Sequence, residues 1–154
     1  MIHYSLLIKS KNWNVRKKKV GKIIYKIIKQ KEKFNFKKNI DYYCNIILMN
    51  DSLIKKYNKI YKKINKSTDV LTFVSDIQKK DNKKEKYCDI MFSAETIAKD
   101  AEQNKINFYD HFAHMVIHTL LHVTGHKHKK NKDFLLMQKK EIQILKKLNI
   151  ANPY

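Results

Sequence analysis

At 154 residues the chain is long enough for one domain with a buried core and too short for two comfortable ones. Its apolar content of 43% is ordinary for a globular protein, and no run approaches the ~18–20 apolar residues of a membrane span. The formal charge of +20, from 34 basic against 14 acidic residues, admits a polyanionic partner such as RNA. All the cations except Arg16 are lysines, however, whereas phosphate-reading surfaces usually keep some guanidinium forks, so the charge permits RNA binding without demonstrating it.

The opening "MIHYSLLIKSKNWN" has no basic region ahead of its apolar run and no small-residue cleavage site. It reads as a first strand, over residues 2–8, and a cytoplasmic protein is expected. From about Val15 to Phe34 the apolar residues take helical spacing with lysines opposite. "IDYYCNIILM" at 40–49 is strongly β-prone, and Asn50 or Asp51 can cap the helix that follows, with Leu53, Ile54, Tyr57, Ile60 and Tyr61. "DVLTFV" (69–74) and "YCDIMF" (87–92) read as an antiparallel pair flanking a solvated loop, "QKKDNKKEK" at 78–86. Three helices follow, at about 93–104, 107–124 and 132–148. The order predicts a single α+β domain over 1–154, with a small mixed four-stranded sheet packed against about five helices. Cys44 and Cys88 sit in alternating apolar stretches without C-x-x-C spacing and read as reduced, partly buried thiols with no assigned role.

The chemistry concentrates at 114–128, "HMVIHTLLHVTGHKH", which holds five of the seven histidines. His118 and His122 stand four apart on one helix, so their rings share a face. Gly125 can take positive φ and end that helix, bringing His128 back beside the pair. Three imidazoles spaced H-x3-H-x5-H suit one Zn²⁺ per chain, with the fourth position open to water. A helical H-E-x-x-H metalloprotease would carry a general-base Glu after its first His; here Thr119 stands there, so a peptidase mechanism lacks its base. His111, His114 and His126 read as structural, with His114 and His126 near enough to compete as ligands.

"HTLLHVTGHKH" resembles the signature H-G-x-L-H-L-x-G-Y-D-H of the YbeY-type endoribonucleases, agreeing at His118, Leu121, His122, Gly125 and His128. "AHMVIH" before it, "STDVLTF" at 67–73, "CDIMFS" at 88–93 and the final "NPY" are similar to further motifs of that family. The likeness runs in register from about Leu48 to Tyr154; over the first 47 residues only the strand–helix–strand order agrees. The resemblance implies a metal-dependent, single-strand-selective endoribonuclease of rRNA 3′-end maturation and ribosome quality control. RNA and the small ribosomal subunit would be its partners, and His118, His122 and His128 its zinc ligands. It also implies a catalytic role for Lys62, aligned with a family Arg that meets the RNA phosphate. The chain departs from the pattern at Thr119 (Gly), His126 and Lys127 (Tyr-Asp), Val74 (Pro) and Lys62 (Arg). A basic ribosome-assembly factor with a vestigial metal site and a metallohydrolase on another substrate are the competing readings.

Overall fold

The computed structural model describes residues 1–126 and 131–154. Strands β1 (Ile2–Ile8), β2 (Asp41–Met49) and β5 (Lys83–Ser93) run parallel in the spatial order β1, β2, β5, and β3 (Val70–Val74) pairs antiparallel with the far side of β5. The predicted antiparallel pairing of β3 with β5 is therefore present. A short strand β4 (Gln78–Lys80) adds to the same side of β5, making a mixed five-stranded sheet where four strands were expected. The added hairpin lies within the segment expected to be a solvated loop. Its lysines face solvent on both sides, so no apolar alternation marks it. Asp81 and Asn82, both at positive φ, supply the two left-handed residues that a tight hairpin turn demands.

The period-2 pattern of β2 and β5 puts Tyr42, Cys44, Ile46, Leu48, Cys88, Ile90 and Phe92 on one buried face. Helices α1 (Lys17–Ile28) and α4 (Phe108–Val123) contribute to the core on that side, the first through Val20, Ile24 and Ile27. The helix expected from Val15 to Phe34 is shorter, with 3₁₀ turns at 11–13 and 31–33 outside it. The first of these turns buries Trp13, whose indole N–H donates to the Met49 carbonyl at 2.8 Å. Helix α2 (Asp51–Lys62) is capped by the Asn50 side chain, and its Ile54 joins Met49, Leu71 and Met91 in a smaller core cluster. On the exposed part of the opposite face, Ser5 donates to Asn45 and Asn45 to Asp89, each at 2.8 Å, a chain of bonds that crosses the three parallel strands. The sheet has two unequal edges: β3 and β4 line one, while among the described residues β1 takes no strand beyond it and leaves Tyr4, Leu7 and Ile8 exposed.

Helix α4 is buried around most of its circumference, with α1, α3 (Ala94–Gln103) and α5 (Asn131–Lys147) packed about it. No helix among the described residues is long and apolar enough to cross a membrane.

Candidate functional site

The site is built at the end of α4. The helix stops at Val123, and Gly125 takes φ +100°. Its N–H donates to the His122 carbonyl at 2.9 Å and the His126 N–H reaches back to the Leu121 carbonyl at 3.0 Å, the paired bonds of a Schellman turn. Lys86 of β5 donates to the Val123 carbonyl at 3.1 Å and sets a cation against the negative end of the helix. The turn folds the backbone over the ring it has just passed, and the His126 carbonyl accepts from His122 Nδ1 at 2.9 Å.

One turn back, His118 Nδ1 donates to Glu141 Oε1 of α5 at 2.7 Å. With both Nδ1 atoms committed to acceptors, both Nε2 atoms present lone pairs, and these converge at 3.0 Å. Between two ring nitrogens so close, either a shared proton or a metal ion fits. The spacing is near the ~3.3 Å kept by two nitrogens that share one tetrahedral zinc at about 2.0–2.1 Å. The donor set therefore fits a metal, and the carboxylate and carbonyl behind the rings are the usual outer partners of ligating histidines.

Glu141 is an acid on an apolar stripe, buried with Met137, Ile144 and Leu145. Burial alone would raise its pKa, but hydrogen bonds from His114, His118 and Tyr154 outweigh that and hold it at about 2. His114 Nε2 lies 3.3 Å from its second oxygen and 3.2 Å from the Tyr154 hydroxyl, and Tyr154 itself donates to that oxygen. Burial and then the adjacent carboxylate push the Tyr154 hydroxyl upward. His114 thus belongs to the support behind His118. The sequence reading assigns Glu141 no role and touches Tyr154 only through the family-like final "NPY", although a carboxylate among core positions of an amphipathic helix is itself a readable signal.

The sequence profile of the family described as Endoribonuclease YbeY matches residues 6–149. A Bartonella henselae protein named Endoribonuclease YbeY is 30% identical over all of this chain and 98% of its own length. One from Ehrlichia chaffeensis is 36% identical over 71% of this chain and 70% of its own. The chain belongs to the endoribonuclease YbeY family. The solution structure of a Thermotoga maritima protein covers 97% of the chain and 92% of its own with a TM-score of 0.52 at 22% identity, a likeness of fold. Similarity to the YbeY family extends through the first 47 residues as well, where the sequence motifs had been silent.

The residues at which this YbeY-family chain departs from the signature can now be placed. The Thr119 hydroxyl is buried and spends its proton on the carbonyls of Met115 and Val116, so it offers nothing to a substrate. Lys62 ends α2 with its ammonium 5.9 Å over the Phe73 ring of β3. Lys127 and the third expected ligand, His128, lie outside the described residues. Cys44 and Cys88 face each other across β2 and β5 as free, buried thiols with Sγ atoms 2.7 Å apart.

A different group able to take a metal ion does lie among the described residues: Asp69, Asp100 and His111, with one ligand atom from each within 4.8 Å of the others. His111 reads from the sequence as structural.

Proposed function

We propose that the protein is a zinc-dependent endoribonuclease acting on single-stranded rRNA in the cytoplasm, in 3′-end maturation of the small-subunit RNA and in ribosome quality control. His118, His122 and His128 hold one Zn²⁺ per chain in this reading. The observation that carries it is the convergence of His118 and His122 Nε2 at 3.0 Å, with each ring fixed from behind by Glu141 or the His126 carbonyl. What zinc supplies when bound is Lewis acidity toward a phosphoryl oxygen and a water acidic enough to be used near neutral pH.

The chain's own residues do the rest. The net charge of +20 draws in the phosphate backbone without regard to sequence. Lys62, at the end of α2, is a point charge for a phosphoryl oxygen where the family's Arg would offer a fork. Glu141 keeps His118 in the tautomer whose Nε2 can ligate and balances the charge gathered there, while Tyr154 and His114 hold Glu141 in place. A peptidase reading is not favoured, because Thr119 is turned into its own helix.

The test is cleavage of a single-stranded RNA and its duplex by the purified chain, before and after chelation and after zinc is restored. Cleavage of the single strand that disappears with chelator and returns with zinc is expected. Tight RNA binding with no cleavage under any of these conditions would refute the nuclease reading and leave a ribosome-assembly factor.

A further inference from the structure

We infer that Asp69, Asp100 and His111 form a second metal site, suited to a first-row transition-series divalent ion such as Zn²⁺ or Mn²⁺ and separate from the histidine centre at the end of α4. Asp69 immediately precedes β3, Asp100 lies on α3 and His111 is in the first turn of α4, and their ligand atoms lie within 4.8 Å of one another. That closeness alone would be unremarkable for acids near a surface. What points to a ligand is His111: it is only 8% exposed, and neither of its ring nitrogens has a hydrogen-bond partner among the described residues. A buried imidazole with donor and acceptor both unmet is costly, and such groups are rare in folded proteins.

Three further features fit an ion. Burial, more than any neighbour, pushes the His111 pKa down, which keeps the ring in the neutral form that ligates. Asp69 is already oriented from outside, its Oδ1 accepting from the Val70 N–H at 2.7 Å and the Thr68 hydroxyl at 3.0 Å, as ligating carboxylates commonly are. Asp69 and Asp100 are half-buried beside each other in a chain with 34 basic and only 14 acidic residues. Two carboxylates and a neutral imidazole balance one divalent charge. One nitrogen and two oxygens suit Zn²⁺ or Mn²⁺ better than Ca²⁺ or Mg²⁺, and leave positions for water.

The spacing also decides the role. His111 and His118 are seven residues apart on α4, or ~10 Å along the axis, whereas paired catalytic metals sit about 3.5–4 Å apart. The second ion is therefore a structural tie. It joins the start of β3, the body of α3 and the start of α4, and thereby fixes the helix whose other end carries His118 and His122.

Zinc loading of the full chain, counted by elemental analysis after equilibrium dialysis and located by anomalous diffraction, tests this. Expected are two ions per wild-type chain, one beside His111, and a single ion in Asp100→Asn/His111→Gln, placed at His118 and His122. If that double variant does not fold by circular dichroism, Asp100→Asn alone, at a half-buried position, is to lose the His111 ion or bind it at least tenfold more weakly. Anomalous density beside His118 and His122 only in the wild type would overturn the inference, as would two full ions in a folded variant. The two zinc readings fail separately: His122→Ala empties the α4 centre and leaves the His111 ion in place.

Discussion

Replacing Glu141 separates its charge from its geometry. In Glu141→Gln the amide oxygen can stay on His118 while the NH₂ group turns to the Tyr154 side, where a hydroxyl can rotate to accept. His118 then keeps its tautomer and loses only the ionic character of a 2.7 Å bond. In Glu141→Ala nothing accepts from Nδ1 at that position, the ring can turn, and Nε2 is no longer aimed at its neighbour. Loss of an outer partner costs roughly 10–100-fold in metal affinity, or about 1.4–2.7 kcal/mol. Gln belongs near the lower end of that range and Ala at the upper. The Ala variant should also be destabilised by about 3 kcal/mol, because one buried acceptor serving His114, His118 and Tyr154 has gone. Chelator competition for zinc in an Asp100→Asn background leaves one class of site to read, and urea unfolding reports the stability. A folded Glu141→Ala protein that binds zinc as tightly as its parent would show that the carboxylate does not position His118.

Gly125→Ala should cost ~1–2 kcal/mol, since φ +100° excludes a Cβ on backbone grounds even though open space surrounds it, and zinc affinity should fall with it; urea midpoints and zinc titration check both. Lys62→Ala should slow single-turnover cleavage by on the order of 10²–10³ with little change in RNA affinity, and Lys62→Arg should match or exceed the parent; an unchanged rate in Lys62→Ala would make it one more solvated lysine. RNA affinity should fall steeply with salt, with a slope of ~0.7 per phosphate neutralised on a single strand, and a flat response would remove the charge from the binding argument. Cys44 and Cys88 should resist a thiol reagent at pH 8 until the chain unfolds and then yield two thiols, because contact with Cys44, burial and neighbouring charge raise the Cys88 thiol well above its ordinary pKa; fast labelling of the native protein would contradict this.

The sequence made legible whatever repeats locally. The i, i+4 spacing of His118 and His122 and the glycine after them are facts of one helix and its turn, and the structure pairs the rings and turns the chain at Gly125 as that pattern implies. The alternation of β2 and of β5 from Tyr87 onward likewise foretold the sheet and its buried face. What stayed hidden came from distance. Glu141 reaches His118 across 23 residues and Tyr154 reaches His114 across 40, and no periodicity links them. The β4 hairpin escaped because its ladder is pure backbone between lysines. His111 looked like any other histidine on its helix; only the tertiary packing around it strips both ring nitrogens of partners.

The bare side of β1 has a consequence for how the protein behaves in bulk. A strand edge left unpaired among the described residues, with Tyr4, Leu7 and Ile8 between 38% and 43% exposed, is a template onto which a second molecule could zip. Mutual repulsion between identical molecules at +20 stands guard over it. That protection is only as long as the Debye length, ~10 Å at 0.1 M salt and ~3 Å at 1 M. The strong brine used to wash nucleic acid from a basic protein therefore also lowers the barrier between its copies, and colloidal stability should be highest in the dilute buffers where the molecule is stickiest toward polyanions.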